Sequence, residues 1–188
     1  MSRRELDANV LESTVLGRTV RTRAHSLSVW FVLALRLMMG IAFLWSGADK
    51  VLAAEPFDAA GYLQYATPEN GSPFADLFVA MGQTDWFVAV VNVAVPWGEV
   101  LIGLGLIVGA FTRLAAFFGA FMMLMFYLGN WDMAHGPING DFAYMLTFLA
   151  VAALGAGRVL GLDAYIEQYP VGGRPLVERY PFLSYLLG

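Results

Sequence analysis

Apolar residues gather into four long blocks along the chain, separated by segments where charge, proline and glycine cluster. The first block, "LSVWFVLALRLMMGIAFLWSGA", covers 27–48, and the others cover 86–108, 111–128 and 142–154. Each of the first three approaches the roughly 20 residues that cross a ~30 Å hydrocarbon core. The fourth is short unless 138–141 enters the membrane too, which would bury Asn139 and Asp141. The pattern predicts an all-α, polytopic membrane protein. It divides the chain into a basic segment at 1–26, an antiparallel four-helix transmembrane bundle at 27–160 with an outer loop at 49–85, and a cytoplasmic or interfacial tail at 161–188.

The connections refine this picture. In "ELDANVLESTVL", Leu6, Val10 and Leu11 share one helical face, which fits a helix lying on the membrane surface as well as it fits an unstructured tail. No cleavable signal pattern precedes the first block. Within 49–85, "TPENGSP" is turn chemistry and "FADLFVAMG" reads as a short interfacial helix. The "GAF" turn after 108 is tight, so the second and third spans should be antiparallel neighbours. In the tail, "IEQYP" recurs as "VERYP", and Tyr165, Tyr169, Tyr180 and Tyr185 suit an interface or a docked partner.

Charge sets the expected orientation. Arg3, Arg4, Arg18, Arg21, Arg23, Arg113, Arg158, Arg174 and Arg179 all fall on one side of a four-span arrangement, and only Lys50 falls on the other. By the positive-inside rule both termini are cytoplasmic and the protein sits in the cell membrane. These basic residues are therefore a topology signal, and with a net charge of −4 nothing supports nucleic-acid binding.

Composition agrees and excludes much chemistry. Apolar residues make up 59% and charged residues 14%, against ~45–50% and ~25% in soluble domains. Cysteine is absent, so thiolate chemistry and Cys-ligated metal or iron–sulfur centres are excluded within this chain. The two histidines, His25 and His135, lie outside the apolar blocks, so no metal site or buried haem is expected. Electron transfer would need a diffusible molecule such as a quinone, or a second subunit. The methionines of "FMMLMFY" read as soft core packing rather than copper ligands. No P-loop, dinucleotide fingerprint or nucleophile elbow occurs.

Two charges sit inside the blocks. Arg36 lies ~13 Å from the edge of the first span and Glu99 ~15 Å from the same edge of the second, at ~1.5 Å per residue. Equal depth predicts an Arg36–Glu99 ion pair, since each charge alone in lipid costs about 2.5–3.5 kcal/mol. Such a pair is either a clamp between spans or the lining of a cavity for a headgroup or anion. Trp97 and Asn92 are the neighbours expected beside Glu99. Arg36, Gly40, Phe43 and Gly47 share a stripe whose small residues suit helix packing. At the outer face Lys50, Trp131, His135, Asn139 and Asp141 are expected to form a second polar cluster, either a capped loop or an entrance for an anion or quinone.

Three segments carry a resemblance. "GIAFLWSGADKV" (40–51), "GEVLIGLGLIVGAFTRLAA" (98–116) and "NGDFAYMLTFLAVAALGAGRVLGLDA" (139–164) are similar, in order and spacing, to the signatures of the DoxX/DoxD family of small four-span membrane proteins. The resemblance implies the four-span fold. Its DoxD branch implies the membrane subunit of a thiosulfate:quinone oxidoreductase, which works with a second subunit. Two functions follow as expectations. In the first, the chain belongs to a quinone-linked redox system: Glu99 relays protons, Arg36 and Trp97 hold the headgroup, and thiosulfate approaches through Lys50 and His135. In the second, it is a non-enzymatic scaffold or assembly partner of another membrane or redox protein; either way a second protein subunit or a homo-oligomer is expected. A transporter fits less well, because the two halves show no inverted repeat.

Overall fold

The computed structural model describes residues 10–15, 18–23, 25, 27–131 and 136–188. In chain order, short helical turns apart, the elements are β1 (Val10–Val15), β2 (Arg18–Arg23), α1 (Ser28–Leu52), α2 (Ala75–Gly82), α3 (Asp85–Val108), α4 (Thr112–Gly129), α5 (Gly140–Ala153), α6 (Asp163–Gln168), β3 (Pro170–Val171), β4 (Arg174–Pro175) and α7 (Leu176–Arg179). α1, α3 and α4 are long and apolar enough to cross a membrane. α5 has 14 residues, only ~21 Å at ~1.5 Å per residue, and is shorter than a hydrocarbon core.

Glycine decides how closely α1 and α3 approach. A Cβ on Gly47 would lie 2.6 Å from the Val100 amide nitrogen and 2.8 Å from Glu99 Cβ, and one on Gly40 would lie 2.9 Å from Ile107 Cγ1. From the other side, Gly103 faces the Leu44 backbone. Small residues at this spacing let two helices meet backbone to backbone, which is how membrane helices gain packing energy without a hydrophobic drive. The stripe Arg36, Met39, Gly40, Phe43 and Gly47 is the buried face of α1. α4 and α5 complete the bundle around Met39, Phe43, Leu106, Met123 and Phe148. Phe43 and Phe148 meet edge to face at 4.7 Å. Met123 therefore serves packing, as the sequence suggests.

The link between α3 and α4 is as tight as expected. Gly109 ends α3 at φ 68°, its amide returning to the Gly105 carbonyl, a left-handed position that glycine takes without a Cβ penalty. We call this the turn end of the bundle. At the opposite, loop end, the long connection after α1 folds on its own small core of Ala59, Leu63 and Phe78. α2 falls on "ADLFVAMG", where the sequence predicts a helix. Ser72 Oγ donates to the Leu128 carbonyl at 2.6 Å, fastening this connection to the end of α4.

Two features depart from the all-α expectation. Val10–Val15 and Arg18–Arg23 pair as an antiparallel hairpin, not a surface helix. The sequence of the two segments is rich in valine and threonine, residue types that favour strands. A second, two-residue hairpin, Pro170–Val171 with Arg174–Pro175, lies in the tail. The tail is stitched to the turn end. Leu162 N donates to the Val108 carbonyl at 3.1 Å, Asp163 N to the Gly109 carbonyl at 2.8 Å, and Leu114 N to the Leu186 carbonyl at 3.2 Å.

Candidate functional site

Glu99 lies on the α3 face that meets α1, three residues after the helix-internal Pro96, and is 3% exposed. Its partner is Lys50, whose Nζ stands 2.6 Å from Glu99 Oε2. The same ammonium donates to Ser46 Oγ at 2.6 Å. The geometry follows from the helix. A side chain on α1 slants towards its N-terminus, so Lys50 reaches back one turn over Gly47 and Ser46 to the level of Glu99. The Lys50 side chain is 25% exposed, so the pair is closed on the Glu99 side and open on the lysine side. Bringing carboxylate, ammonium and hydroxyl together in an apolar bundle compensates each charge.

The expected Arg36–Glu99 pair does not form. Arg36 is 1% exposed and turns its two terminal nitrogens to backbone carbonyls, while its buried Nε has no partner among the described residues. Nη1 donates to the Ala156 carbonyl at 2.6 Å and the Val159 carbonyl at 2.7 Å, and Nη2 to the Leu160 carbonyl at 3.4 Å. A Cβ on Gly109 would lie 2.8 Å from Arg36 Nη1, so Arg36 is level with the α3–α4 turn. Glu99 is ten residues deeper, ~15 Å along the helix. The error lies in the edge: α1 projects about two turns beyond the turn end, so counting from its first residue places Arg36 too deep.

Asp163 completes the turn end. It is fully buried, its Oδ1 accepting from Phe111 N at 2.7 Å and its Oδ2 from Thr112 N at 3.0 Å and Gly188 N at 3.1 Å. A carboxylate on the first amides of α4 is a helix cap delivered from 51 residues beyond Thr112, favoured by the helix dipole. Nearby, Arg158 pairs with Glu167 through two bonds of 2.8 and 2.9 Å. The hydrogen bond to Glu167 holds the Arg158 pKa above its ordinary value, against the opposing effect of burial.

The remaining expected residues divide. Trp97 is 52% exposed and lies with Val93, Leu101 and Leu104 on the outward face of α3, so it is not beside Glu99. A two-residue offset on a helix turns a side chain ~200° away. Asn92 does share the Glu99 face, but caps the connection: its Oδ1 accepts from Ala59 N at 2.8 Å and its Nδ2 donates to Asp58 Oδ1 at 3.3 Å. Lys50 does not join Asn139 and Asp141. Those two belong to a separate network in which Tyr62 donates to Asn130 Oδ1 at 2.9 Å and Asn130 Nδ2 to Asp141 Oδ2 at 2.8 Å. Asn139 caps α5 through Phe142 N at 3.0 Å. Burial, helped by the Asp141 charge, pushes the Tyr62 phenol up to about 12. Trp131 stacks at a tilt on Tyr127, 5.6 Å between centroids. His135 lies outside the described residues. Among the described residues no cluster of three His, Asp or Glu side chains could hold a metal.

Sequence reading missed Ser46, Tyr62, Asn130 and Asp163 as partners. Ser46 was findable as the i−4 neighbour of Lys50. Asp163 closes the glycine-rich "LGAGRVLGLD", a signal that the chain turns there, though not of where the carboxylate goes.

Long apolar helices, intramembrane charges neutralised by partners and a lipid-like outer surface define a multi-helix membrane protein. A model of the DoxX family matches residues 31–131, more than half of the chain, and the protein belongs to the DoxX family. Comparisons with curated proteins and with solved structures give no match. Lys50 and Glu99 both lie inside the matched region, whereas the carbonyls that hold Arg36 lie beyond it.

Proposed function

We propose that this DoxX-family protein is a four-span, DoxD-like subunit of a quinone-linked redox system, with both termini cytoplasmic. In this reading α5 crosses with help from the residues that flank it, and the distribution of arginine sets the orientation. Lys50, Glu99 and Ser46 form the site that meets the quinone headgroup. The observation that carries the reading is the one-sided opening of the Lys50–Glu99 pair: a shielded carboxylate behind an ammonium that is one quarter exposed. Ionisable groups held inside a membrane domain are functional sites by default.

The chemistry suits the residues. Quinone reduction takes up two electrons and two protons at carbonyl oxygens. Lys50 donates a hydrogen bond to such an oxygen and stabilises the charge that develops there, while Glu99 passes protons behind it. The two electrons would come from thiosulfate, oxidised at a second subunit, and the dianion would approach from the side where Lys50 is the single Lys or Arg. Arg36 is assigned no part in the reaction, since its terminal nitrogens are held by backbone carbonyls at the turn end, about 15 Å along the helix from Glu99.

A second reading is a membrane scaffold without chemistry. The Lys50–Glu99 contact over Gly47 favours it, because the pair also joins α1 to α3. Native purification separates the two. The redox reading expects extractable quinone and a stoichiometric redox subunit; a stoichiometric partner with no quinone selects the scaffold.

A further inference from the structure

We infer that the start of the tail, Leu160 to Tyr165, is embedded in the lipid interface and extends the membrane-facing surface of α3. Along α3 the outward row runs through Leu101 (66% exposed) and Leu104 to Val108. The row does not stop at the helix end. The Val108 carbonyl accepts Leu162 N at 3.1 Å, which sets Leu162 directly beyond Val108, and the Leu162 carbonyl accepts Tyr165 N at 3.0 Å one turn further on. Leu160, Leu162 and Tyr165 are all exposed, at 76%, 48% and 77%. An apolar strip that continues a lipid-facing helix row, at the depth of the α3–α4 turn, faces the same solvent as that row. A tyrosine at its end suits the headgroup layer.

Leu160 adds an independent argument. Its φ is 51°, a left-handed conformation that a Cβ penalises and that glycine ordinarily fills. Arg36 holds it there from inside, through the Val159 and Leu160 carbonyls. The strain is kept by surrounding structure, and the leucine it retains points an apolar side chain outward. Water gives no reason to hold a leucine in that state, whereas lipid does.

The chain has no cysteine, so each introduced one is a unique label site. Leu160→Cys, Tyr165→Cys and Glu178→Cys, each in the full chain, are spin-labelled in vesicles of phosphatidylcholine and phosphatidylglycerol. Collisions with oxygen, which concentrates in lipid, are then compared with collisions with a water-soluble nickel complex. Oxygen is expected to dominate at 160 and 165, and nickel at 178, where Glu178 is exposed. Tyr165 lies on regular helix, so its result stands even if the Leu160 variant folds poorly. Nickel dominating at 165 would overturn the inference by placing the strip in water. Exclusion of both reagents at 165 would overturn it by placing a protein surface there.

Discussion

Lys50 Nζ and Glu99 Oε2 stand 2.6 Å apart, joining the C-terminal end of α1 to the middle of α3. The two partners are not equivalent, because Glu99 is 4% and Lys50 25% exposed at the side chain. Removing either one therefore leaves a different problem behind.

Lys50→Met strands a shielded carboxylate. The expected loss of stability is about 2.5–3.5 kcal/mol, the insertion cost of a charge near a helix centre. Glu99→Gln leaves an ammonium on a flexible stem that can reach the interface. Its loss should be about 1 kcal/mol or less, in the range of exposed pairs. Thermal unfolding in nanodiscs measures both; equal losses would contradict the asymmetry.

Arg36 is a structural bracket, and its replacement should act at a distance. Arg36→Gln removes the donors to the Ala156, Val159 and Leu160 carbonyls, and the loosened segment carries Asp163 away from Phe111 N and Thr112 N. Hydrogen exchange is expected to rise at residues 111–114 and 157–163 while α3 near Glu99 stays protected. Arg36→Lys should restore little, since a compact ammonium cannot span carbonyls that the planar guanidinium fork reaches together.

These outcomes mark what was legible in the sequence. Block length and apolar pattern located α1, α3, α4 and α5 closely, and "GAF" located the turn. Equal depth for Arg36 and Glu99 failed because α1 runs past the turn end, and apolar pattern carries no mark for where one helix overhangs another. The register is set instead by backbone contacts at Gly40, Gly47 and Gly103. Those glycines are visible in the sequence, but their partners are not. Asp163 was out of reach for a related reason: a cap supplied from 51 residues beyond Thr112 has no local signature. Trp97 failed on phase alone, since an offset of two residues turns side chains to nearly opposite faces of a helix.

Tyr62 gives a pH test outside the membrane helices. Its phenol ordinarily titrates at 10.0 and is pushed up to about 12 by burial. The folded state thus holds the proton more tightly, so its contribution to stability is full below pH 10 and is lost as pH rises towards 12. Ultraviolet titration of tyrosinate should show a late component that Tyr62→Phe removes. The variant should also lose less stability than the parent between pH 10 and 12.

The Lys50→Met/Glu99→Met double variant tests the central claim most directly. Replacing a buried ion pair with apolar residues of similar size is often neutral or stabilising, so the double variant should unfold near the parent temperature. If the pair is the headgroup site, quinone retained by the purified protein falls to background although the fold is intact. Quinone retention equal to that of the parent would contradict the account and leave the pair as a clamp between α1 and α3.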